Sequence, residues 1–393
     1  MKRFSLIAFI AVCVFVSQTL FTQADETANK AAEKTLAKAK LFAKLPAEMN
    51  GPDGLTVSPK TGTIFLTVPN FNSGGRANDS KVPKKYPGVL AKVGIDGTVE
   101  KILEFPVLAE TGQTGCMGLV FGPDGHLYVC DNQYFFNTDH KSRVLRVLMD
   151  GDKPTGEVEV AVEGLNLANA AAWYNNKLYV SDTFLDIPGK TGAGGIWAFS
   201  SAEILKAGKG KNPPIKVRPA TATSKDRHLI VIKEAKKSER GDNAGFDGIT
   251  FSADGTLYTG NFGDGTLYAI KLNRNGAVRQ IYEIHKGESK IKCCDGIYYD
   301  KRTKKIYIND SQRNAIWAFR PLSRRELITG AQAKLELIAE NGDTTGEDGS
   351  LDQPCECVAV GNKLIIVNFD WPFPGLVNTK YDEPSTLSVI ELP

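Results

Sequence analysis

Short runs of alternating apolar and polar residues, broken by Gly, Asp, Asn and Pro, cover most of the chain, and this period of two predicts strands rather than helices. The clearest unit runs Gly245-Phe246-Asp247-Gly248-Ile249-Thr250-Phe251-Ser252-Ala253-Asp254-Gly255-Thr256-Leu257-Tyr258: an apolar strand, an Asp-Gly hairpin turn, and a second strand opening Leu-Tyr. The pattern recurs from Asp53-Gly54-Leu55 to Ile64-Phe65-Leu66, from Met117-Gly118-Leu119 to Leu127-Tyr128-Val129, and from Asn169 to Leu178-Tyr179-Val180. It returns from Asp295-Gly296-Ile297 to Ile306-Tyr307-Ile308 and from Cys355-Glu356 to Leu364-Ile365-Ile366, making six copies. A third strand follows each pair, as in Gly195-Ile196-Trp197-Ala198-Phe199, and usually a fourth, as in Val278 to Ile284. Six four-stranded antiparallel units predict an all-β fold, a six-bladed β-propeller. Two β-sandwiches are the competing architecture, but they do not need the same turn in the same place six times. The last copy has only three strands before Pro393, so Leu41 to Leu45 is expected to supply the missing outer strand and join the two ends of the chain.

Before this region, Lys2-Arg3 precede an apolar run from Phe4 to Val16 and a polar stretch ending at Ala24, the pattern of a cleaved secretory signal over residues 1–24. Residues 25–40 read as a lead-in helix or disordered segment, and 41–393 as one propeller domain. The expected location is secreted or periplasmic, with no membrane contact after signal cleavage, since no later run approaches the ~20 apolar residues a span requires. Composition adds that the chain can build a core: 42% of residues are hydrophobic and 24% charged, which excludes a disordered chain. Removing residues 1–24 takes Lys2 and Arg3 and no acid, leaving 46 basic against 45 acidic side chains. That balance, without runs of like charge, predicts no nucleic-acid partner. Cys116, Cys130, Cys293, Cys294, Cys355 and Cys357 remain; an even number in an exported chain favours disulfides.

Loop lengths indicate where chemistry sits. The turns between first and second strands are short, as in Pro123-Asp124-Gly125, while the second-to-third loops (Asp131 to Ser142, Asn368 to Ser385) and the connections Lys236 to Gly245 and Asn341 to Pro354 are long. These share the face where first strands begin, the expected binding face. The insert Ser200 to Arg227 belongs to the opposite face and reads as a decoration. First strands line the channel, so one position per copy forms a ring at its mouth: Asp53, Met117, Asn169, Asp247, Asp295, and Cys355 or Glu356. Converging carboxylates repel unless a cation or protons intervene. Calcium, which takes 6–8 oxygen ligands in flexible geometry, is the expected cofactor, with other divalent cations as substitutes. The competing reading of each Asp-Gly is a turn in which the Asp side chain caps its own backbone.

Phe246-Asp247-Gly248-Ile249 and Leu167-Ala168-Asn169-Ala170 resemble the senescence-marker-protein/gluconolactonase (regucalcin-like) family of six-bladed β-propellers, and the resemblance spans nearly all of residues 41–393. It implies a metal-dependent lactonase or esterase, usually calcium-associated, with a small-molecule substrate: a lactone, ester or sugar derivative. Carried over by position, it implies metal ligands at Asp53 (or Glu48), Asn169 and Asp247; the expected general base is Asp247, or another mouth carboxylate such as Asp295. The chain departs from the family in its second blade, where Gly115-Cys116-Met117-Gly118 replaces the substrate-contacting Arg and the Asn-Asp pair. That departure supports the alternative, a non-catalytic propeller that binds a ligand or protein. Of four histidines only His140 and His285 belong to the loop-rich face, and no Gly-x-Ser-x-Gly elbow accompanies them, so a Ser-His-Asp triad is not expected.

Overall fold

Each copy of the repeat folds into one antiparallel sheet. The structure, a computed structural model, describes residues 36–71, 85–136, 139–190, 192–287 and 290–393. The expected signal segment and most of the expected lead-in lie outside the described residues. After β1 (Lys40–Lys44), the first blade comprises β2 (Leu55–Val57), β3 (Ile64–Val68), β4 (Val89–Val93) and β5 (Val99–Glu104), and the second β6 (Cys116–Phe121), β7 (Leu127–Asp131), β8 (Ser142–Asp150) and β9 (Lys153–Leu165). The third holds β10 (Ala168–Tyr174), β11 (Lys177–Asp182) and β12 (Ala193–Ser200); then come helix α1 (Ser201–Ile204), β13 (Ile215–Lys216) and the outer strand β14 (Leu229–Glu234). The fourth is β15 (Phe246–Phe251), β16 (Leu257–Asn261), β17 (Leu267–Leu272) and β18 (Val278–His285). The fifth is β19 (Ile297–Asp300), β20 (Lys305–Asp310), β21 (Ala315–Phe319) and, after helix α2 (Arg324–Ile328), β22 (Glu336–Glu340). The sixth takes β23 (Pro354–Val360), β24 (Lys363–Asn368) and β25 (Thr386–Glu391), with β1 as its outer strand.

The chain is thus an all-β six-bladed propeller closed as expected: Lys40 pairs with Val389 and Lys44 with Thr386, antiparallel. Each inner strand touches the next around the ring, and β2 touches β23. Between blades lie apolar seams, such as Phe65, Leu90, Leu127, Val129 and Leu145 between the first and second. Burying one such side chain stabilises the fold by about 1.5–3 kcal/mol.

Two expectations are corrected. The insert after β12 is not an unrelated decoration: β13 adds a parallel fifth strand to the outer edge of the second blade, beside Val162 and Glu163 of β9. It is held there by Arg146, which is fully buried, hydrogen-bonds Ile204 O at 3.1 Å and Ala207 O at 2.9 Å, and pairs with Glu159. Nor do the cysteines form disulfides; all six are free, buried thiols. The reason is geometric, since the sulfurs point into different contacts. Cys116 faces Val89 O, Cys355 faces Asp53 O at 3.5 Å, Cys357 accepts from Asn309 Nδ2 at 3.4 Å, and Cys293 lies 3.5 Å from Ser311 Oγ.

Candidate functional site at the channel mouth

Local pairing turns the expected residues towards the channel. In β6, β10, β15 and β23 the register slips by one residue at the strand start, a β-bulge that spans Met117, Asn169, Asp247 and Cys355. Bulges re-aim side chains at such rims. The glycine after each acid then lets the neighbouring blade approach: a Cβ on Gly248 would lie 2.5 Å from Asp295 O, and one on Gly54 2.4 Å from Met117 O. Hydroxyls of second strands complete the seams, Thr67 donating to Met117 O at 2.7 Å and Thr183 to Phe246 O at 2.9 Å.

Asp53, Met117, Asn169, Asp247 and Asp295 all line one cavity of about 280 Å³. They are buried, Asp247 to 4% exposure and Asn169 to 9%. Asn169 Nδ2 donates to Asp247 Oδ2 at 2.6 Å, and Ser311 Oγ donates to Asp295. Glu48, the other candidate for the first-blade acid, is exposed, whereas Asp53 lines the cavity. At the sixth position the two candidates divide: Cys355 turns its sulfur into the seam beside Asp53 O, whereas the Glu356 carboxylate acts electrostatically on Asp53 and Asp295. Neither His140 nor His285 lines the cavity.

The carboxyls cannot all ionise side by side. Burial, then the charge of Asp295, pushes Asp53 well above the carboxylate range. Burial and repulsion from Asp295, Asp53 and Glu356 do the same to Asp247. Asp295 is pushed up to about 7 by burial, against the opposing hydrogen bond from Ser311. Raised pKa values keep protons on these carboxyls and so relieve the repulsion.

The walls come from the long loops. Phe135, Phe184, Phe262, Phe369 and Phe373 line the cavity, and Trp371 packs against both Phe369 and Phe373, with centroids 5.9 Å from each, while those two rings lie 6.4 Å apart. The aromatic loops at 134–136 and 371–373 therefore both roof the site and pack on their neighbours. Arg240 and Asp242, from the β14–β15 connection, complete the rim.

Sequence reading missed Arg240, Ser311 and a repeated clamp at the ends of second strands. Asp182 accepts the backbone N–H groups of Asn166 and Leu167, and Asp310 those of Lys292 and Cys293. Each thereby fixes the segment leading into a site residue, Asn169 or Asp295. The available signal was the recurrence of Asp or Asn at that position, at Asp131, Asp182, Asn261, Asp310 and Asn368.

Hard oxygen donors lining one buried cavity fit a calcium-type ion in chemistry, through Asp53, Asn169 and Asp247. Among the described residues no three His, Cys, Asp or Glu side chains are grouped tightly enough to form a ready-made metal cage.

The fold and cavity define a six-bladed propeller with an acid-floored, open-mouthed site at the end of its channel. Solved structures of the same fold include a gluconolactonase from Xanthomonas campestris, 12% identical with a TM-score of 0.51 over 92% of this chain and 98% of that one. Another is the calcium-binding protein regucalcin from Agrobacterium tumefaciens, 14% identical, TM-score 0.50, covering 91% and 93%. A glucose dehydrogenase is 12% identical, with a TM-score of 0.54 over 90% and 98%. At these identities the likeness is one of fold, and it includes the gluconolactonase and regucalcin propellers that the sequence resembles. No protein-family model matches the chain, and no curated protein matches it significantly in sequence.

Proposed function

We propose that the protein is an exported, metal-dependent hydrolase, calcium being the preferred ion, that opens a lactone or related ester in the cavity at the channel mouth. The observation that carries this reading is the convergence of Asp53, Asn169, Asp247 and Asp295 on one buried cavity. Asp53, Asn169 and Asp247 would hold the ion, which when bound polarises a carbonyl and offsets negative charge developing on its oxygen. The Asp247–Asp295 pair takes the proton from the attacking water, with the Ser311 hydroxyl holding Asp295 in place. The aromatic walls exclude bulk water and strengthen these electrostatics. Export is supported by the apolar segment Phe4 to Val16 behind Lys2-Arg3.

Purified protein offered a panel of γ- and δ-lactones and aryl esters is expected to hydrolyse at least one member, and a chelator to abolish that turnover. Asp247→Ala is expected to lose both hydrolysis and metal retention; a fully active Asp247→Ala protein removes the assignment. The second reading, a non-catalytic ligand-binding propeller, is favoured by the Met117 thioether at the second-blade ring position and by the aromatic walls. Ligand binding by the same panel without turnover would establish it.

A further inference from the structure

We infer that Arg240 makes this cavity selective for a substrate bearing a carboxylate at the rim end; the inference rests on the reading of this cavity as the substrate site. Arg240 lies on the β14–β15 connection at the rim, its side chain 3% exposed. One nitrogen is occupied: Nη2 donates to Phe262 O at 3.1 Å and pairs with Asp242 Oδ2 at 2.9 Å. Nε and Nη1 are buried and have no hydrogen-bond partner in the protein. A guanidinium stays charged, and leaving its donors desolvated and unpaired is costly unless an acceptor arrives.

The surroundings hold the group rather than satisfy it. The guanidinium carbon lies 4.9 Å from the Phe262 ring centroid, over its face. Gly375 packs on the aliphatic stem, so close that a Cβ there would lie 2.7 Å from Arg240 Cγ. Asp242, 35% exposed, engages only Nη2. Asp295 accepts from Ser311 and feels the Arg240 charge, which favours its ionised form, but no hydrogen bond joins it to Nε or Nη1. The cavity is therefore bipolar, with an acid and amide floor on the inner strands, an apolar wall that includes Phe262 and Phe373, and a cationic donor at the rim. A ligand that matches it places carbonyl and hydroxyl oxygens on the floor and an anionic acceptor against Nε or Nη1. Nε and Nη1 lie on different edges of the guanidinium, so a carboxylate oxygen accepts from one of them in a single charge-assisted hydrogen bond.

The test uses a γ-lactone carrying a ring carboxylate and its matching primary amide, with binding read by calorimetry alongside hydrolysis. Wild type is expected to prefer the carboxylate by about tenfold or more. Arg240→Gln should lose that preference while its affinity for the amide is unchanged, and Arg240→Lys should keep part of it. Asp242→Ala, which removes that acceptor from Nη2, should bind the carboxylate more tightly than wild type; this variant keeps the test decisive should Arg240→Gln fold poorly. Wild-type indifference between the two ligands, or equal weakening of both in Arg240→Gln, would overturn the role of Arg240 and leave the substrate-site reading standing. Absence of both binding and turnover for either ligand in wild type would sink the substrate-site reading and the inference with it.

Discussion

At the residue scale the same dipeptide does two unrelated jobs. Asp96-Gly97, Asp124-Gly125 and Asp254-Gly255 are hairpin turns: the glycines have φ of 85°, 78° and 76°, and Asp254 Oδ1 accepts the Thr256 N–H at 3.1 Å. Asp53-Gly54, Asp247-Gly248 and Asp295-Gly296 are not turns. Their glycines have no left-handed backbone, and the acids face the cavity. The self-capping reading therefore fails at the ring positions and holds at the hairpins. Burial at the ring has a consequence for pH. Below about pH 4 Asp295 is protonated in both folded and unfolded chains. As pH rises towards its folded value of about 7, the unfolded side chain ionises first, so Asp295 progressively disfavours folding. In chelated protein, Asp295→Asn should therefore gain on wild type by a few kcal/mol between about pH 4 and about pH 8, since each tenfold fall in proton activity across that window is worth about 1.4 kcal/mol. Denaturant unfolding of both proteins across that range checks the sign; a constant difference would mean that Asp295 is not the group that titrates.

At the element scale, bulges and tight seams deliver the side chains. An inner strand with regular pairing would send Asn169 or Asp247 into a blade face; the extra residue turns it to the channel, and Gly248 lets β15 lie against the segment that opens β19. Adding one methyl there pushes the seam apart. Gly248→Ala is expected to cost about 1–3 kcal/mol or more and to depress any activity beyond its effect on stability, because Asp247 and Asp295 shift with their strands. Thermal unfolding beside a turnover assay separates the two effects, and unchanged values of both would contradict the close approach. The Asp182 and Asp310 clamps act at the same level. Their side chains also accept from Trp197 and Trp317, so strand, connection and ring residue are fixed together.

At the scale of the whole molecule, closure by β1 keeps the circle intact. Without it β25 is left with an unpaired edge, a liability for aggregation. Removing the chain through residue 45 should lower the melting temperature and promote association, measured by calorimetry and light scattering; an equally stable, monomeric truncation would show that closure is not needed. Much of this was legible in the sequence, because strands, hairpin turns and blade number follow from local period and turn chemistry, and Leu41 to Leu45 anticipated β1 to within a residue. Asp53, Asn169, Asp247 and Asp295 were legible for the same reason: a repeat carries register, and register carries residues to equivalent places on the axis. Arg240 was not, since its connection lies outside the repeat and its neighbours Phe262 and Gly375 come from other blades. The cysteines misled because counting thiols says nothing about where sulfurs point, and the insert because its two-residue strand pairs with a blade other than its own. Local pattern decided how many blades there are and which residues face the channel. Only packing between blades decided which donors are left unpaired, because that depends on distances between residues far apart in the chain.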